Sequence, residues 1–164
     1  MRQIVMVAAL AALAAGSPAI AHALSGESTT MAKDEKIVVV EKMVDAWNRR
    51  DWQMVGDLFT EDGVLHSMMI EPVKGREAIS KRISGMGAGI DSITLNIRNI
   101  GRVGDAVFVE RVDEFVYKGH AGKVPVVGVI ETRGDKISEW REYYDRAELL
   151  EAMGLAEDFH KPAG

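Results

Sequence analysis

Residues 104–145 read GDAVFVERVDEFVYKGHAGKVPVVGVIETRGDKISEWREYYD, and this stretch decides the fold. Gly104-Asp105 turns the chain into an apolar, β-branched run from Ala106 to Tyr117. Gly119 to Lys123 predicts a second turn into Val124 to Thr132, and Arg133-Gly134-Asp135 a tight hairpin into Lys136 to Asp145. Runs joined by turns this short predict an antiparallel meander. Just upstream, Ser92 to Ile100 alternates with Ile93, Leu95 and Ile97 on one face, which adds a further strand.

The preceding part of the chain reads differently. Between Lys33 and Arg50 the apolar residues Val39, Val40, Met43, Val44 and Trp47 fall at helical spacing. Asp51 is placed to cap a second, short helix ending at Phe59. Asp62-Gly63 predicts a turn, Val64 to Ile70 a strand, and Gly75 the start of a third helix over Arg76 to Met86. A last helical stretch runs from about Ala147 to Met153. Helices followed by long antiparallel strands define an α+β layer fold. Such a sheet, curled around the first helix, makes a pocket open at one end.

The first residues have another character. Arg2 precedes an apolar run from Ile4 to Ala15, Gly16 and Pro18 break it, and Ala21-His22-Ala23 has the small-x-small form of a cleavage site. The run is shorter than the roughly 20 residues that span a bilayer. Residues 1–23 therefore read as a cleaved secretory signal, and the expected location is exported, in the periplasm. Residues 24–32 read as a flexible stub, 33–155 as one domain and 156–164 as a tail.

Arg2 is the sole charged residue of that leader, so its removal takes the net charge from −5 to −6. An acidic chain is a poor partner for nucleic acid or an anionic membrane surface. The chain contains no cysteine, which excludes disulfides, thiol catalysis and zinc–thiolate sites. The well-separated His66 and His120 lack a third partner, so no metal site is expected, and no cofactor.

The residues that invite chemistry lie within Glu110-Arg111-Val112-Asp113-Glu114-Phe115. Alternation along a strand puts Arg111, Asp113 and Phe115 on one face, with the Cα atoms of Arg111 and Asp113 roughly 6.6 Å apart. A buried arginine requires carboxylates, and its planar fork holds two at once. Asp145, at the end of the last strand of the meander, is the expected second carboxylate. Two carboxyls flanking one guanidinium in a dry pocket have their pKa values driven apart, one serving as acid and the other as base. The same R-x-D pattern also occurs as a purely structural ion pair.

Glu110-Arg111-Val112-Asp113, Val127-Gly128-Val129-Ile130-Glu131, Gly134-Asp135-Lys136-Ile137 and Trp140-Arg141-Glu142-Tyr143-Tyr144-Asp145 together resemble the limonene-1,2-epoxide hydrolase family. Leu58 to Val64 and Gly75 to Ile79 resemble the wider SnoaL-like and nuclear-transport-factor-2-like (NTF2-like) superfamily. The resemblance implies a cone-shaped fold with helices packed on a curved sheet, a homodimer formed through the open sheet face, and no cofactor. It implies Asp145 as the base activating water, Asp113 as the acid protonating an epoxide oxygen, and Arg111 as the bridge. Its water-holding Tyr and Asn positions fall on Leu65 and Ser67, or on His66 and Met68 if the loop shifts by one residue. Val124 and Val126 fall on its pocket-lining positions. Leu65, Trp47 and Tyr143 join Phe115 as further lining candidates.

The leading expectation is hydrolysis of a hydrophobic, terpenoid-like or cyclic epoxide to a vicinal diol by direct attack of water. Two other readings are a SnoaL-like isomerase or cyclase acting on a steroid or polyketide, and a periplasmic small-molecule-binding module without turnover.

Overall fold

The computed structural model describes residues 33–155; the proposed leader, stub and tail lie outside them. The elements are α1 (Glu35–Asn48), α2 (Trp52–Asp57), β1 (Phe59–Ser67), β2 (Val73–Lys74), α3 (Arg76–Gly87), β3 (Ile90–Val103), β4 (Ala106–Tyr117), β5 (His120–Arg133), β6 (Lys136–Tyr143) and α4 (Arg146–Ala152). The expected α+β class is the observed one: among the described residues two helices come first, a third follows β1 and β2, and six strands form one sheet in the order β2-β1-β6-β5-β4-β3. Each pairing is antiparallel except that of β1 with β6.

The helix starts follow capping chemistry. Asp34 accepts the Lys36 amide at α1, and Asp51 accepts the Met54 amide at α2, so each satisfies a donor the helix itself cannot. Val39, Val40, Met43, Val44, Ala46 and Trp47 make the buried stripe of α1. Asn48 Oδ1 accepts the Leu95 amide at 2.7 Å, which ties the end of α1 to β3. The core lies between this helix and the inner face of the sheet, with Phe59, Val107, Val109, Ile130 and Ile137 fully buried.

The structure corrects four boundaries. Asp62-Gly63 is not a terminal turn but part of β1, which bulges between Phe59 and Val64 against β6; the Gly63 carbonyl there accepts the Gly75 amide. The short strand β2 has no counterpart in the sequence reading. Gly119 to Lys123 is not a loop: Lys118 and Gly119 both have positive φ, the pattern of a two-residue type I′ turn, and β5 resumes at His120. Finally, β6 stops at Tyr143, and Asp145 lies beyond it as the N-cap of α4.

Candidate active site

Strand parity sets the site. On β4 the odd residues Val107, Val109, Arg111, Asp113 and Phe115 face inward. Register across β5 pairs Arg111 with Val126 and Asp113 with Val124, and Gly128 with Glu142 of β6. The inward set on β6 is thus Trp140 and Glu142, continued beyond the strand by Tyr144. From β1, Leu65 pairs with Trp140 and Ser67 with Glu142, adding both to the same concave face.

Arg111 is 2% exposed and holds two carboxylates. Its Nε donates to Asp113 Oδ1 at 2.8 Å, and its Nη2 donates to Glu142 Oε1. The two partners are 13% and 18% exposed at their side chains, so all three charges lie largely out of water. The guanidinium carbon stands 5.4 Å from the Trp140 ring centroid, against the π face. Trp140 packs edge-on against Trp47 and stacks on Phe59, which fixes the wall behind the arginine.

Burial and charge oppose each other here. Burial works against the Arg111 charge, but the carboxylates of Glu142 and Asp113 outweigh it and hold the guanidinium protonated beyond its ordinary range. For Asp113 burial is the largest influence; Arg111 offsets part of it and the Glu142 carboxylate adds to it, so its pKa is pushed up from 3.8 to about 6. The site therefore offers a carboxyl that readily carries a proton beside a second one on the same guanidinium.

The cavity above these groups has a volume of about 150 Å³, below the roughly 300–1,000 Å³ of pockets for drug-sized ligands. Trp47, Leu65, Phe115, Val124 and Val126 all line it, as expected, and so does Ser67. Leu149 and Met153 of the α4 segment line it too. Tyr144 lines it as well: its hydroxyl donates to Ser67 Oγ at 3.0 Å and accepts from Arg146 Nη1 at 3.3 Å.

Three expected residues lie elsewhere. Asp145 is exposed, and its carboxylate accepts the Glu148 amide at 3.1 Å as a helix cap. It shares parity with Tyr143, on the side away from the cavity, so Glu142 rather than Asp145 is the second carboxylate on Arg111. Tyr143 is correspondingly exposed on the outer face, and Tyr144 takes the lining position. His66 alternates out between Leu65 and Ser67, opposite Arg141. The signal for these assignments was present in Trp140: a buried tryptophan on β6 fixes even-numbered residues as inward. Replacing Asp145 by alanine is accordingly expected to cost about 0.5–2 kcal/mol in urea unfolding, the usual value of a cap, without touching the Arg111 cluster.

The sequence profile of the SnoaL-like domain matches residues 40–140. The chain is 24% identical over 114 residues to the epoxide hydrolase EphG of Mycobacterium tuberculosis, covering 70% of this chain and 76% of that one. Among solved structures, an LEH-like epoxide hydrolase from M. tuberculosis superposes with a TM-score of 0.65 at 24% identity, over 73% of this chain and 89% of that one. A protein with a ketosteroid isomerase-like fold from Catenulispora acidiphila superposes with a TM-score of 0.66 at 29% identity, over 76% and 97%. With a family match across most of the folded region and the same helix-on-curved-sheet architecture, this chain belongs to the SnoaL-like domain family.

Proposed function

We propose that this protein hydrolyses a small hydrophobic epoxide to a vicinal diol. The observation that carries the reading is the pair of largely buried carboxyls, Asp113 and Glu142, held on one guanidinium in the wall of a mainly apolar cavity. Similarity to an epoxide hydrolase supports it. Glu142, as carboxylate, takes a proton from a water molecule; the water oxygen bonds to one epoxide carbon as the carbon–oxygen bond of the strained ring breaks. Asp113, as carboxylic acid, gives its proton to the departing ring oxygen. The product is the diol, and a proton returns from Glu142 to Asp113 to complete the cycle. Arg111 remains charged throughout and holds both carboxyls in place. Ser67 and Tyr144, the latter on the same face as Glu142, are the groups available to orient the water.

The test is single turnover of a panel of cyclic and terpenoid-like epoxides in isotope-labelled water, with the diol read by mass spectrometry. Label is expected in the first diol formed. Label entering a carboxylate first would refute direct attack. Tyr144→Phe is expected to lower kcat on the order of tenfold or more by loosening the water. A second reading, isomerisation or cyclisation of a carbonyl substrate, draws on Leu65, which puts an apolar side chain where the epoxide hydrolase family holds its water; turnover of a dienone with no diol from any epoxide would select it. Ligand binding without turnover would select the binding module.

Export and pairing complete the reading. The sequence of residues 1–23 supports a cleaved leader, and the exposed Phe108, Val127 and Tyr143 on the outer sheet face support a homodimer. Native mass spectrometry of the exported protein is expected to give twice the mass of a chain beginning at Leu24. A full-length or monomeric species would remove the corresponding part.

A further inference from the structure

Arg111 and Glu142 belong to strands that are not neighbours. Strand β5 runs between them, with Val126 opposite Arg111 and Gly128 opposite Glu142. Alternate strands of a sheet are roughly 10 Å apart, so the guanidinium has to cross β5 diagonally. It crosses at Gly128. A Cβ built on that residue would stand 3.0 Å from Arg111 Nη1, 3.0 Å from Val109 Cγ1 and 3.1 Å from Trp140 Nε1. These distances are tighter than ordinary van der Waals contact; Val109 is fully buried and Trp140 is held between Phe59 and Trp47, so the end of the long Arg111 side chain is the group left to give way.

We infer that Gly128 is a positioning residue: its bare Cα is the gap through which Arg111 reaches Glu142 while keeping Asp113. Arg111 Nη1 and Trp140 Nε1, the two polar atoms nearest the gap, are buried with no hydrogen-bond partner among the described residues. The guanidinium orientation is therefore held by two carboxylates and by shape. A methyl group at 128 presses on the arm with no acceptor and turns the fork away from its carboxyls. The inference rests on the proposed chemistry only for its effect on turnover; the geometry it concerns can be measured without substrate.

Asp113 reports on it. Its carboxyl faces Arg111 on its own strand and Glu142 from β6; across β3 and β5 its partners are the apolar Leu95 and Val124. Arg82, Glu71, Tyr117 and Tyr144 line the rest of the cavity. Arg111 is the cation bonded to Asp113, so turning it away lets burial push the Asp113 carboxyl above its value of about 6.

The experiment is a titration of aspartate carboxyls by carbon-13 NMR in the wild type, Gly128→Ala, Arg111→Lys and the double variant, with Asp113→Asn identifying the signal. Gly128→Ala is expected to move the Asp113 midpoint upward, and to have no further effect once Arg111→Lys has removed Nη1. If the wild type turns over an epoxide, Gly128→Ala also lowers kcat/KM on the order of tenfold or more. A folded Gly128→Ala protein with an unmoved Asp113 midpoint overturns the inference, whatever the substrate proves to be. If Gly128→Ala fails to fold, a folded double variant supports the inference, because the clash then lies with Nη1. A double variant that is also unfolded overturns it, because the clash then lies with Val109 and Trp140.

Discussion

Glu142→Gln is expected to reduce epoxide turnover by about 10²–10⁴-fold while leaving a folded protein. The amide keeps the size of the carboxyl and still presents an oxygen to Arg111 Nη2, so the crossing over Gly128 survives. What is lost is the ability to accept a proton from water. Glu142→Asp makes the complementary test. It keeps the charge but withdraws the carboxylate by one methylene from a guanidinium fixed against Trp140, so an intermediate loss is expected, weighted toward kcat. Asp145→Ala, by contrast, should change kcat little and raise KM at most, since fraying α4 loosens Leu149 and Met153, which line the cavity. Steady-state kinetics on the three variants decide between the two carboxyls. A dead Asp145→Ala beside an active Glu142→Gln would return the base to Asp145 and refute the site described above.

The contrast between these two residues also marks how far the sequence could be read. The fold was legible because its signals are local. The apolar stripe from Val39 to Trp47 has the helical period, and the alternation around Arg111 has the strand period. The turns at Gly104, Gly119 and Gly134 need a positive φ, which glycine adopts without strain. The pair Arg111 and Asp113 was legible for the same reason, being two residues apart on one strand. The second carboxylate was not, because it depends on register across two strands and on where β6 ends. Shifting the inward set by one residue exchanges Glu142 and Tyr144 for Tyr143 and Asp145. Gly128 is harder still. Within Val127-Gly128-Val129 it reads as a weak point in a strand, and its meaning appears only when the side chain crossing it is known.

Removing Arg111 should cost most in stability, and the cost should depend on pH. In the wild type the Asp113 pKa is raised in the folded protein, from 3.8 to about 6. A carboxyl raised by folding contributes stability that is fully present below its unfolded pKa and is lost as pH climbs through the folded one. Between 3.8 and about 6 that amounts to about 3 kcal/mol. Arg111→Met keeps much of the volume but takes away the cation that offsets burial, so Asp113 and Glu142 face each other uncompensated once ionised. Urea unfolding is expected to show a loss of about 3–5 kcal/mol at alkaline pH, the usual result of breaking a buried ion pair from one side. The loss should be much smaller at acid pH, where Asp113 is neutral in both proteins. The same titration governs chemistry in the wild type. With Asp113 as the acid, kcat/KM should fall about tenfold per pH unit above 6, and the fall should be absent from the residual activity of Asp113→Asn. An equal loss of stability at both ends of the pH range, or a rate that rises through pH 6, would mean that Asp113 is not the group holding the proton.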